Sequence, residues 1–309
     1  MMRYLAGPIM VVWLALLGSS AVVAQSDRPA TITFTHKERS LKPGEVILLK
    51  ARSTRPLKAL KVEAFDHEFP AFDDSGGLKW SALIGIDLST KPGRYRLKMT
   101  GVDRDGKSVV AGRILSISTK RFPTRRLAVD EKFVTPPADV TARIEEEGKR
   151  VKEIFASVTP DKFWSGPFRV PVPGEVISAF GKRNIYNNKP RSPHSGTDFR
   201  GKIGTPIRAP NAGRIVLAED LYYSGKTVIV DHGFGLYSYL GHMSEFSVKE
   251  GDRIKAGEIL GKVGATGRVT GPHLHWTVRL MTTLIDPMSL VSVLGNPRRT
   301  GAAAKAARN

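Results

Sequence analysis

The chain has 309 residues, an apolar fraction of 41% and a formal net charge of +19 at pH 7. This length predicts about two domains, and the apolar fraction is sufficient for a sizeable core. The absence of cysteine excludes disulfides and thiolate metal sites, so any metal ion must be bound by imidazole and carboxylate groups.

The basic residues are spread along the chain from Arg39 to Arg308 and do not gather on one helix or stripe. No recognition helix or RNA-binding signature accompanies them, so we expect no nucleic-acid partner. A large positive charge also suits an exported protein that works on an anionic polymer surface. We therefore expect a weak association with anionic envelope surfaces.

Residues 1–24 resemble a secretory signal peptide. Arg3 is the single charge before the apolar run Met10–Leu17, and small residues precede Gln25. The alternative is an uncleaved membrane anchor, although the apolar run is shorter than the ~20 residues that a spanning helix needs. Both interpretations predict an exported protein of the periplasm or cell envelope.

Residues 25–120 have the pattern of an Ig-like β-sandwich. Short strand-like runs are separated by turn sequences such as Lys42-Pro43-Gly44 and Asp105-Gly106. The predicted strands are Thr31–Thr35, Glu45–Arg52, Leu60–Phe65, Ser81–Asp87, Arg94–Gly101 and Arg113–Ser118. This domain shows no residues that suggest chemistry.

Residues 121–164 are predicted to be a linker that contains a helix over Ala138–Val158, packed between the two domains. Gly148 weakens this helix and is a candidate for a bend. Residues 165–294 follow as a second, all-β domain, because β-branched runs again alternate with glycine-containing turns. Residues 295–309 are small and basic and are predicted to be a disordered tail.

Five of the seven histidines lie in the second domain, between Pro193 and Arg279. Residues i and i+2 of a strand point to the same face, so His273 and His275 should project together with Leu274 in the core. His194 and Asp198 lie four residues apart around Gly196, a spacing that lets a loop or turn direct both at one ion. Three protein ligands leave the fourth zinc position for water, as in a catalytic site. The hypothesis is that His194, Asp198 and His275 bind one zinc ion, with His242 and His273 beside it.

Three motifs in this domain resemble the signatures of the lysostaphin-type zinc metallopeptidases, which are β-rich peptidoglycan hydrolases. They are His194-x-x-x-Asp198, Tyr239-Leu240-Gly241-His242-Met243-Ser244 and Gly271-Pro272-His273-Leu274-His275. The resemblance covers about residues 176–290. It implies His194, Asp198 and His275 as ligands of one Zn²⁺, and His242 and His273 as the catalytic residues. Which of the two histidines is the general base stays open at this point.

The resemblance implies an exported zinc endopeptidase that hydrolyses peptide bonds in peptidoglycan stems or cross-links through a zinc-activated water. We expect peptidoglycan as the partner and a monomeric protein. The alternative is a catalytically inactive homologue that binds and activates a wall amidase.

Four further residues are interpreted from their surroundings. His232 is expected in a hairpin turn rather than in the site, and Asp286 is a candidate for a role behind the metal ligands. Tyr239 and Trp276 fit a substrate groove and the core equally well.

Overall fold

The computed structural model describes residues 29–127, 136–190 and 192–295. The predicted signal peptide lies outside these residues, as does the predicted basic tail apart from Gly295. Within the described ranges, no helix has the length and apolar character needed to cross a bilayer. The protein is mostly β, as predicted: an N-terminal sheet precedes a helix and a larger C-terminal sheet.

The N-terminal sheet has seven strands in the order β1-β2-β5-β4-β3-β6-β7. These strands are β1 (Ile32–Glu38), β2 (Val46–Ser53), β3 (Leu57–Ala64), β4 (His67–Asp73), β5 (Lys79–Gly85), β6 (Gly93–Asp103) and β7 (Ser108–Ile117). Alternate residues of these strands face a shared interior, and Val62, Ile84 and Leu97 are among the side chains buried there.

Strand β4 is absent from the sequence prediction, and its pairing explains why. Its first half pairs with β3, ending at Pro70, and its second half pairs with β5, beginning at Ala71. Proline has no backbone N–H to donate, so it normally argues against a strand interior. Here Pro70 lies at the point where the strand passes from one partner to the other.

The C-terminal sheet follows the order β17-β14-β15-β16-β19-β12-β9, with β18, β13 and β20 attached beside it. Its strands are β9 (Val176–Ser178), β12 (Thr197–Arg200), β13 (Pro206–Arg208), β14 (Gly213–Leu221), β15 (Gly225–Gly233), β16 (Leu236–Phe246), β17 (Arg253–Ile254), β18 (Ile259–Val263), β19 (His273–Leu280) and β20 (Thr283–Ile285). Among its buried side chains are Phe199, Leu240 and Trp276.

A small third sheet joins the linker to the C-terminal part of the chain. The predicted polar loop Asn184–Arg191 instead contains β10 (Arg183–Tyr186) and β11 (Lys189–Pro190), which form a hairpin. The linker strand β8 (Thr124–Leu127) pairs with β10 in parallel. This pairing joins segments about sixty residues apart, so local patterns in the sequence do not reveal it.

The predicted linker helix is present as α1 (Thr141–Ala156), preceded by a 3-10 turn over Ala138–Val140. Its location differs from the prediction, because it packs on the C-terminal sheet rather than between the two domains. The buried Phe155 ring lies 5.5 Å from the ring of Tyr237 on β16. The helix continues through Gly148 without interruption.

A second helix, α2 (Pro287–Leu294), ends the described chain and packs against β1 and β2 of the N-terminal sheet. Asp286 is its N-cap and accepts a hydrogen bond from the backbone N–H of Met288. Ser289 Oγ accepts a hydrogen bond from the backbone N–H of Val46, 3.0 Å away. The two sheets are therefore joined by direct contacts as well as by the linker.

Candidate metal centre

The site is built on three adjacent strands of the C-terminal sheet. Asp198 on β12 lies directly opposite His275 on β19, and His275 lies opposite Gly241 on β16. The Oδ1 atom of Asp198 is 2.8 Å from Nδ1 of His275. Asp198 thus belongs to a strand and not to the loop or turn that its spacing from His194 suggested.

His194 reaches this pair from the segment before β12, and its backbone is fixed. Its N–H donates to Lys182 O and its carbonyl accepts from Gly181 N, at 2.9 and 2.8 Å. Between His194 and Asp198, a side chain at Gly196 would lie 2.3 Å from the carbonyl oxygen of Trp276. Glycine at this position therefore allows the segment to approach β19 closely.

Hydrogen bonds outside the cluster fix the tautomer of His194. Its Nδ1 lies 3.0 Å from the carbonyl oxygen of Ala179, which can only accept, so Nδ1 carries the proton. The lone pair of Nε2 therefore points inward. It lies 3.0 Å from Asp198 Oδ1 and 3.1 Å from His275 Nδ1.

These three atoms could hold one metal ion. On the far side of His275, Nε2 lies 2.8 Å from the hydroxyl of Thr277, a partner to which it can donate. With that proton arrangement the cluster contains two nitrogen lone pairs and one carboxylate oxygen, all acceptors, and a cation removes their mutual repulsion. Zinc at roughly 2.0–2.2 Å from each ligand would separate the ligand atoms by about 3.3 Å, close to the separations present.

Electrostatics in the cluster favour a bound cation. Burial opposes ionisation of Asp198, but the hydrogen bonds and charges of His194 and His275 outweigh it and hold the pKa of the carboxyl well below its usual range. Burial likewise opposes protonation of His194, yet the hydrogen bond and charge of Asp198 raise its pKa. Burial lowers the pKa of His275. Asp198 is therefore ionised, and its negative charge attracts a cation to the site.

His273 lies on the same face of β19 as His275, as the alternation predicts, and Leu274 is fully buried on the other face. Nδ1 of His273 donates to the carbonyl oxygen of Gly271 at 2.9 Å, so its Nε2 is the free nitrogen. That nitrogen lies 3.8 Å from Asp198 Oδ1. Its lone pair is available at the edge of the cluster.

His242 completes the group from β16, with its ring centroid 4.7 Å from that of His273. Its Nδ1 donates to the carbonyl oxygen of Thr266 at 3.0 Å, which again leaves Nε2 free. Burial, followed by the charges of His275 and His273, lowers the pKa of His242 to about 4. The backbone of His242 has φ 64°, a left-handed conformation that costs free energy for a residue with a side chain.

The structure also locates the four residues that were interpreted from their surroundings in the sequence. His232 is not in a turn: it lies within β15, is fully buried, and contacts Ala212 O and Ser238 Oγ at 2.8 and 2.9 Å. Trp276 belongs to the core, whereas the half-buried Tyr239 has its ring 6.4 Å from that of His275. Asp286 caps α2, and none of its hydrogen bonds or ion pairs in the described chain involves a histidine of the cluster.

Thr277 is a contact of the cluster that the sequence analysis missed. It follows His275 by two residues on the same strand, so it shares the face of His275 and lies beside its outer nitrogen. The alternation of side chains along a strand, which predicts that His273 shares the face of His275, predicts the same for Thr277.

The model of peptidase family M23 matches residues 192–287, the segment that contains all five residues of the cluster. A solved protein of Pseudomonas aeruginosa, assigned to peptidase M23, is 32% identical with a TM-score of 0.63. The likeness extends over 82% of this chain and 96% of that one. The chain belongs to peptidase family M23.

Two curated relatives of this M23 protein are peptidases by name, and the name of the first includes peptidoglycan. Peptidoglycan DD-endopeptidase ShyA of Vibrio cholerae is 33% identical over 45% of this chain and 32% of its own length. DD-carboxypeptidase/endopeptidase Mpg of Neisseria meningitidis is 31% identical over 68% of this chain and 47% of its own length. The chain thus spans about a third of the length of the first relative and about half of the second.

Proposed function

We propose that this M23 protein is an exported zinc metallo-endopeptidase that hydrolyses peptide bonds in peptidoglycan stems or cross-links. One observation carries the proposal. Nε2 of His194, Oδ1 of Asp198 and Nδ1 of His275 converge within 3.1 Å of one another, although each is an acceptor when the outer nitrogens carry the protons. That donor set of imidazole and carboxylate groups fits one zinc ion, with His194, Asp198 and His275 as its ligands. Zinc bound there would polarise the scissile carbonyl and lower the pKa of a water.

The two remaining histidines are proposed to move protons at the reacting atoms. His242 and His273 each donate Nδ1–H to a backbone carbonyl and direct a free Nε2 toward the cluster. One of these nitrogens accepts the proton of the attacking water. The other, when protonated, stabilises the oxyanion of the tetrahedral intermediate. Burial is the main cause that lowers the pKa of His242 to about 4, so its imidazole is neutral at pH 7 and its free Nε2 can accept a hydrogen bond.

The substrate class is supported by the names of the relatives and by charge. The net charge of +19 suits a polymer rich in carboxylates. An exported location, in the periplasm or cell envelope, follows from the same substrate and from the signal-like residues 1–24. An inactive partner of a wall amidase is not favoured, because all five residues of the cluster are present and converge.

The test is hydrolysis of defined, cross-linked muropeptide dimers by the full chain, with products identified by mass spectrometry. We expect cleavage of a peptide bond by the zinc-loaded protein, loss of cleavage after chelation, and recovery when zinc is restored. A His275→Ala variant should be inactive under all three conditions. Cleavage that survives both chelation and His275→Ala would contradict the proposal. The absence of cleavage together with activation of an added amidase would favour the inactive homologue.

A further inference from the structure

One arginine beside the candidate site is not used by the proposed chemistry. Arg268 lies in the loop between β18 and β19, and its backbone N–H donates to Tyr223 O at 2.9 Å. The next residue of that turn, Ser224, accepts at 2.7 Å from the backbone N–H of His242. Arg268 is therefore joined to the backbone of His242 through one short turn, at the edge of the cluster.

The loop that carries Arg268 is held firmly against this turn. Thr266 Oγ1 accepts from the backbone N–H of Lys226 at 2.9 Å. Gly225 and Gly267 have φ of 60° and 76°, and a side chain on either would approach the other segment to 2.3 Å. Only glycine permits this contact at both positions. The backbone of Arg268 thus has a fixed position relative to His242.

The side chain of Arg268 is oriented by an aromatic ring. Its guanidinium carbon lies 4.7 Å from the centroid of the Tyr223 ring, a cation–π distance. The Tyr223 side chain is 40% exposed, so this pair lies at the surface of the molecule and not in the core. Tyr222 packs against Tyr223 at 5.1 Å between centroids and supports the ring.

Part of the Arg268 guanidinium has no acceptor among the described residues. Its Nη1 is buried without a hydrogen-bond partner, although Arg268 as a whole is only partly buried, and no carboxylate in the described ranges forms an ion pair with Arg268. An arginine presents five N–H donors in a planar fork that matches a carboxylate. Leaving such donors unpaired away from water is unfavourable. Because Arg268 as a whole is only partly buried, the rest of this oriented guanidinium is a suitable position for an acceptor on the substrate.

We propose that Arg268, stacked on Tyr223, binds a carboxylate of the stem peptide and makes the protein selective for substrates in which that carboxylate is free. This proposal rests on the proposed function, because it names a feature of the same substrate. Two carboxylates share the chemistry: the side-chain carboxylate of a diamino acid in the stem, and the carboxylate at the peptide terminus. Peptides in which one or the other is amidated separate the two.

The experiment compares three cross-linked peptides: the free acid, the form amidated at the side-chain carboxylate and the form amidated at the terminal carboxylate. For the wild-type protein, amidation of the bound carboxylate should lower kcat/KM by about tenfold to a hundredfold, mainly through KM, as expected for a lost charge-assisted hydrogen bond. On the free acid, Arg268→Ala should show the same reduced kcat/KM that the wild type shows on the peptide with the bound carboxylate amidated. Its activity on the amide should be unchanged.

Further variants separate binding from packing. Arg268→Lys should keep only part of the preference, since an ammonium lacks the planar fork. Tyr223→Phe should keep the preference, and Tyr223→Ala should reduce it. Arg94→Ala, which changes an exposed arginine of the N-terminal sheet, should behave as wild type.

A preference that is unchanged in Arg268→Ala, or an equal loss on all three peptides, would overturn the proposal. If the wild type cleaves none of the peptides, the proposed function fails. In that case calorimetric binding of the same peptides still decides the role of Arg268. Equal affinity of wild type and Arg268→Ala for the free acid would then refute it.

Discussion

Arg39 donates two hydrogen bonds to Glu45, the residue before β2, at 2.9 and 2.7 Å, and one to Asp286, the N-cap of α2, at 2.6 Å. Lys120 donates to the same Glu45 at 2.9 Å. The Glu45 side chain is only 2% exposed. Burial opposes ionisation of Glu45, but Arg39 and Lys120 outweigh it and lower its pKa. This ion-pair network joins the two parts of the molecule.

We therefore expect Arg39→Ala to destabilise the protein by about 2 kcal/mol, because Glu45 and Asp286 each lose a partner. This lies below the ~3–5 kcal/mol typical of fully buried pairs, since the Arg39 side chain is 35% exposed. Urea unfolding at pH 7 measures the change. The matched control is Arg200→Ala, whose partner Glu175 is 66% exposed, and which should cost less than ~1 kcal/mol. Equal losses in the two variants would contradict this role of Arg39.

His232 predicts a dependence of stability on pH. Burial lowers its pKa to about 4, against 6.5 for a free histidine. Below pH 6.5 the unfolded chain therefore binds a proton that the folded chain does not, and folding becomes less favourable as the pH falls. The contribution of His232 is fully present above pH 6.5 and is lost progressively down to about pH 4, by roughly 2–3 kcal/mol.

Unfolding free energies between pH 7 and 4.5 test this dependence. A His232→Gln variant should be less stable at pH 7, because it disturbs the contacts with Ala212 and Ser238. It should also lose less stability than the wild type between pH 7 and 4.5. The exposed His67→Gln serves as the control and should show the full wild-type loss. The same loss in all three proteins would rule out His232 as the cause.

Gly148 is a position where the structure predicts a gain in stability. It lies within α1, and a side chain added there would meet no atom within 4 Å. Glycine in a helix interior costs about 1 kcal/mol relative to alanine. Gly148→Ala should therefore raise the free energy of unfolding by roughly 0.5–1 kcal/mol. A decrease would show that the helix needs glycine for a reason that the packing does not reveal.

The sequence predicted the parts of the fold that depend on local patterns. Alternation and turn residues located most strands of the N-terminal sheet, and the spacing of His273 and His275 placed them on one face. The missed elements depend on distant partners: β4 changes partner at Pro70, and β10 pairs with the linker strand β8. The burial of His232 could not be predicted from its sequence neighbours either, because the residues that surround it, such as Phe168 and Ala212, are distant in the sequence.

His242 should be required for hydrolysis but not for metal binding. Its Nε2 is free, and its positive φ is better tolerated by asparagine than by most residues. His242→Asn is therefore expected to fold, to retain zinc, and to lose roughly 10²–10⁴-fold in kcat, as for a lost general acid or base. Mass spectrometry of muropeptide products gives the rate, with His67→Gln as an active control. Retention of more than about a tenth of the wild-type kcat would contradict a proton-transfer role.

The central claim is that His194, Asp198 and His275 hold a zinc ion. The most direct test is the zinc content per chain, measured by inductively coupled plasma mass spectrometry after dialysis of the wild type, His275→Ala and His242→Asn. The account predicts one zinc per chain in the wild type and in His242→Asn, and almost none in His275→Ala, since three protein ligands are needed to retain the ion. A full equivalent of zinc in His275→Ala would contradict it.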